Sequence, residues 1–127
     1  MSQAAATGSA DRFPQAGPLR LTIEDSDSTL VLRMAGDLDL AGVGQVMAAL
    51  DRVDIGHTTE LIFDLRELAF LDLAGLKTIL RANDYCKSHH IPVTVIKPRG
   101  FASRVFTLTR VHLELDLVDA PAPDLTA

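Results

Sequence analysis

Apolar and polar positions change period several times along this chain. Leu19, Leu21 and Ile23 alternate with Arg20, Thr22 and Glu24, the two-residue period of a strand with one buried face. Asp25-Ser26-Asp27-Ser28 carries turn chemistry. Thr29 to Ala35 is a second apolar-rich run, so the first two strands should form a hairpin. Gly36-Asp37-Leu38-Asp39 is expected to end the second strand. From Leu40 to Val53 the period lengthens, with Val43, Val46, Met47 and Leu50 at helical spacing. Leu61 to Leu65 is almost wholly apolar, as in a strand covered on both faces. Leu73 to Ser88 reads as a second helix, with Leu76, Ile79, Leu80 and Asn83 on one stripe. Pro92 to Ile96 is a fourth strand. Gly100 to about Arg110 is a third helix, with Phe101, Val105, Phe106 and Leu108 as its apolar set. Leu113 to Val118 is a short final strand or an extended end.

The order β-β-α-β-α-β-α-β predicts an α/β fold. Its sheet should be mixed and mostly parallel, with four to five strands and three to four helices covering at least one face. Residues 18–120 form one domain. The Ala, Ser, Gly, Thr, Gln and Pro of residues 1–17, and residues 121–127, have too few apolar anchors to offset the entropy of ordering and read as flexible tails. No internal repeat is expected.

Composition narrows the function classes. A length of 127 residues suffices to bury a core without disulfides or metal. The net charge of −5 disfavours nucleic acid and anionic membranes, which need clustered Lys and Arg. No apolar run approaches the roughly 20 residues that span a bilayer. Met1 to Pro18 lacks the basic-then-apolar order of a secretory signal, and the single Cys86 has no internal disulfide partner. These features suit the cytoplasm.

The segment Leu61 to Leu80 says most about function. A buried strand leads through a short apolar connection into a helix capped by Asp72, whose carboxylate can accept from first-turn amides for about 1 kcal/mol. Leu71 and Leu76 stand at the positions of a hydrophobic staple. Gly75, in the first turn, costs about 1 kcal/mol against Ala, and its presence there points to a close approach to the backbone.

Phe-Leu-Asp-x-x-Gly-Leu between strand and helix (residues 70–76), preceded by Gly36-Asp37-Leu38-Asp39 after strand two, resembles the STAS domain. The best-known members are bacterial anti-sigma factor antagonists. The resemblance spans about residues 18–120 and includes the order of elements. It implies a protein that binds an anti-sigma factor, itself a serine kinase of the GHKL type, and so frees a sigma factor. In the family that kinase phosphorylates a serine directly after the motif aspartate, and nearly two added negative charges disrupt the docked face. This chain departs from the pattern there. Leu73 occupies the acceptor position and Ala74 the next, so no phosphoryl group can be accepted at the motif. The surface that remains would comprise Gly36, Asp37, Asp39, Asp72, Leu73, Ala74, Gly75 and Lys77, with Leu73 at or near its centre.

Plainer roles stand beside these. Asp37 and Asp39 also suit turn formation and helix capping. Thr78, one turn into the second helix, suits a bond back to its own helix. Ser103, Thr107 and Thr109 give no signal of modification. Cys86 has no basic cluster or second cysteine to activate it. His89 and His90 diverge on a helix but suit its C-terminal dipole, and His57 and His112 show no partners. Another STAS role, as a subunit of a different regulatory or transport assembly, also fits. A receiver-like domain accepting phosphate at Asp64, with Lys97-Pro98 nearby, would require paired acids after strand one to hold Mg²⁺. An enzyme would require a nucleophile paired with a base; no such pair, phosphate loop or metal-ligand cluster is seen. No metal, cofactor or small-molecule substrate is expected.

Overall fold

A computed structural model describes residues 14–109 and 114–119. Five strands, β1 (Arg20–Ser26), β2 (Thr29–Leu38), β3 (Glu60–Leu71), β4 (Val93–Ile96) and β5 (Leu117–Val118), alternate with three helices, α1 (Val43–Leu50), α2 (Leu73–Ser88) and α3 (Gly100–Thr109). The strands lie in one sheet in chain order. β1 is antiparallel to β2, and every other neighbouring pair is parallel. This is the expected mixed, mostly parallel α/β architecture.

The hairpin closes through Asp27 and Ser28 alone, both at positive φ (49° and 73°), while Asp25 and Ser26 remain in the ladder. Positive φ at both central residues gives a turn whose twist matches that of the flanking strands. Leu30, Leu32 and Met34 of β2 share one sheet face with Leu61 and Phe63 of β3 and Val93 and Val95 of β4. They join Val46 and Ala49 of α1 and Leu76, Ile79, Ala82 and Cys86 of α2 in one core.

Several expectations require correction. β2 does not end at Gly36; it continues through Asp37 to Leu38. The connection expected after Leu65 is strand as far as Leu71. Nor is β3 covered by helices on both faces. Thr22, Glu24, Arg33 and Asp64 lie on its second side, and a depression there is lined by strand residues only. The first helix is shorter than 40–53. Leu40–Gly42 is a 3₁₀ turn, α1 follows, and the amides of Asp51, Arg52 and Val53 close it by donating to the Ala48, Ala49 and Leu50 carbonyls. The last strand holds two residues; Leu113 and Arg110 lie outside the described residues, as do the expected tails apart from residues 14–17. Gly17 is already docked, its carbonyl accepting from Asp37 N at 2.8 Å. No helix among the described residues is long and apolar enough to cross a membrane.

Candidate functional site

The C-terminal ends of β2 and β3 bring the two sequence motifs together. Leu38 pairs with Leu71, and Asp72 N donates to the Leu38 carbonyl at 3.2 Å. Each strand then passes through one aspartate into a helical turn. Asp72 caps α2 from an extended backbone, its carboxylate accepting from Gly75 N at 2.9 Å. Asp39 does the same for the 3₁₀ turn, accepting from Ala41 N at 3.1 Å. The capping roles of both are therefore visible. Leu71 and Leu76, flanking the cap, are both buried, as a staple requires.

Contrary to expectation, the chain does carry a short internal repeat. Leu38-Asp39-Leu40-Ala41-Gly42 recurs residue for residue as Leu71-Asp72-Leu73-Ala74-Gly75. The sheet sets the copies side by side. β2 and β3 begin with Thr29 opposite Glu60, an offset of 31, and end with Leu38 opposite Leu71, an offset of 33. The register slips between Arg33 and Ala35 and again between Gly36 and Asp37. Each slip is a bulge in which β3 spends one extra residue. Together they align the copies.

Both pentapeptides expose their second leucine. Leu40 is 74% and Leu73 60% accessible, whereas the first leucine and the glycine of each copy are buried. Leu73 is exposed as expected; Leu40, expected only to open the first helix, is exposed as well. The repeat was the signal that could have found it. Ala74 is half-buried and Lys77 exposed on the next turn.

The glycines support this surface from within. A Cβ on Gly75 would run into the Leu38 carbonyl and lie 2.7 Å from Leu38 Cγ, so the close approach inferred from sequence is made by β2 itself. Gly36, at φ +86°, has no room either: a Cβ there would meet the Pro18 carbonyl oxygen at 2.6 Å. Asp37 is half-buried, and its Oδ1 is enclosed with no hydrogen-bond partner among the described residues. It lines a groove with Asp39, Leu19, Ala41 and Gln45. Phe70, facing Asp37 in the register, stacks on Phe101 of α3 with ring centres 6.2 Å apart and planes within 6°. Both rings are exposed, and neither was anticipated as part of a surface.

Residues outside this edge behave structurally. Asp64 is buried on the second sheet face, bonded to Arg66 through both oxygens (2.9 and 2.6 Å) and 3.4 Å from its register partner Arg33. Burial alone would push its carboxyl up. Hydrogen bonds from the Arg66 side chain and backbone, with the charges of Arg66 and Arg33, outweigh this and hold it below the usual carboxylate range. A carboxylate committed to two guanidinium groups does not suit the receiver-like alternative. Thr78 is buried and donates to the Ala74 carbonyl at 3.0 Å. Cys86 is buried, which pushes its thiol up, away from reactivity. His89 sits edge-on against Tyr85, His57 lies 3.4 Å from Ser28 Oγ, and His112 is outside the described residues. Among the described residues, no three His, Cys, Asp or Glu side chains converge to hold an ion.

The family model for the Mlab STAS domain matches residues 21–119. The chain belongs to that family. As a STAS domain it also has clear structural neighbours. An anti-sigma factor antagonist from Mycobacterium paratuberculosis is 23% identical, with TM-score 0.70 over 88% of this chain and 93% of that one. The anti-sigma factor antagonist SpoIIAA in its unphosphorylated form is 22% identical, with TM-score 0.68 over 80% and 89%. A putative antagonist from Thermotoga maritima is 14% identical, with TM-score 0.68 over 80% and 86%. At these identities the likeness is one of fold. No curated protein matches in sequence.

Proposed function

We infer that this STAS domain is a docking regulator of the anti-sigma factor antagonist type. It binds an anti-sigma factor, a serine kinase of the GHKL class, and so releases a sigma factor, without serine phosphorylation at the motif. The observation that carries the reading is Leu73. It stands exposed at the first turn of a helix capped by Asp72, where the family places its phosphorylated serine. A leucine there keeps an apolar contact in place of a switch, and full burial by a partner would contribute roughly 1.5–3 kcal/mol. Asp37, Asp39, Ala74 and Lys77 would border the contact, while Gly36 and Gly75 shape it from below. The domain acts by binding, in the cytoplasm, with no catalytic step of its own.

Capture from native lysate, comparing the wild type with Leu73→Asp, tests this. Recovery of a kinase-type partner by the wild type and its loss in the variant are expected. Label from ATP arriving on the wild-type domain in the presence of that kinase would refute the unphosphorylated mode. Recovery of transport components alone would favour the second reading, a STAS subunit of another assembly, to which the Mlab description of the matching family lends support.

A further inference from the structure

We propose that the docking surface has two equivalent anchors, Leu40 and Leu73, and that its occupant is a partner segment of apolar side chains flanked by Lys or Arg. The proposal rests on the docking reading above and adds a second contact point and a partner chemistry to it. The two leucines occupy the same place in two copies of one pentapeptide, which the bulges of β3 bring level. Both follow a capping aspartate and both are exposed. The core does not need them there, since the first leucine of each copy fills the interior.

The charge of the edge selects the occupant. Asp37, Asp39 and Asp72 lie at the two strand ends, with Lys77 one turn along α2. The Asp39 and Asp72 side chains are partly accessible beside the one Lys77 amine, and a rim with surplus carboxylates favours an incoming cationic donor. A second copy of this chain would bring its own carboxylates against these, and an anionic membrane would be repelled. An apolar ridge edged with basic side chains meets both requirements.

The probe is a 14-residue amphipathic Leu/Lys peptide, titrated into the full-length ¹⁵N-labelled protein at low salt, with a Leu/Glu counterpart as control. Amide shifts should concentrate in residues 37–42 and 72–77. Leu40→Asp and Leu73→Asp should each weaken binding about tenfold, as loss of an anchor does, and by amounts within about threefold of each other. Asp37→Asn should weaken it less. Leu40→Ser serves in place of Leu40→Asp should the latter lose its folded spectrum. Equal binding of the Leu/Glu peptide, shifts centred elsewhere, preferential binding to phosphatidylglycerol vesicles, or dependence on Leu73 alone would overturn the proposal. The two readings fail separately. A kinase-type partner that needs Leu73 but ignores Leu40→Asp leaves the proposed function intact and removes the second anchor. Peptide binding that depends on both leucines, with no kinase-type partner in lysate, does the reverse.

Discussion

The same five residues, used twice, do not build the same structure. After β2, Leu-Asp-Leu-Ala-Gly begins with a 3₁₀ turn, and Asp39 reaches an amide two residues on. After β3 it begins a 16-residue α-helix at once, and Asp72 reaches an amide three residues on. The glycines of the two copies also meet different neighbours. Gly42 rests against the Leu19 side chain, where a Cβ would come to 3.0 Å. Gly75 rests against the backbone of the other copy. A local sequence therefore sets the cap, and tertiary neighbours set the helix that follows it.

The largest test of this contrast exchanges glycine for alanine. Gly75→Ala must displace the Leu38 carbonyl and should cost about 3 kcal/mol. Gly42→Ala presses on the buried Leu19 side chain but on no backbone atom, and its gain in helix propensity should hold the net loss to about 1 kcal/mol. Urea unfolding of both variants measures the difference, and equal losses would break the comparison.

A second test concerns what holds the copies level. Arg33 and Asp64 pair immediately before the first bulge, so Asp64→Asn removes a tie between β2 and β3. A loss of about 1–3 kcal/mol at neutral pH is expected, the cost of breaking a buried hydrogen-bonded partner. Because the folded-state pKa of Asp64 is lowered, its contribution is fully present above the unfolded value of about 3.9. It is lost as pH falls through the lowered folded value. Wild type and variant should therefore converge in stability only in strong acid.

Smaller again is the difference between caps. Asp72→Ala should cost about 1 kcal/mol, and Asp39→Ala roughly half that, since its turn is short. Thermal melts at one pH resolve the order. Smallest on stability are Leu40→Asp and Leu73→Asp, each within about 0.5 kcal/mol because the positions are exposed. A larger loss at either would place that leucine in the core and not on a contact face.

Much of this was legible in the sequence. The helix over Leu73–Ser88, the Asp72 cap and the close approach at Gly75 follow from local chemistry. So does the bond from Thr78 back to its own helix. The length of β3 was not legible, because Arg66 and Glu67 interrupt its apolar run and bulges obey no fixed period. Leu40 was missed for a related reason. A leucine opening an amphipathic stretch looks like core until the strand beside it is known. Asp64 looked like chemistry because its two arginines, one of them on another strand, meet it only in the fold.

The two irregularities in β3 act as a vernier between neighbouring strands. Adding or removing one residue there would not lengthen a loop harmlessly. It would turn the far end of the strand over, since successive side chains point to opposite sides, and carry one leucine out of step with its twin. The turn at Asp27 and Ser28 asks only for residues that tolerate positive φ, whereas the spacing across Leu65–Phe70 sets whatever the edge holds.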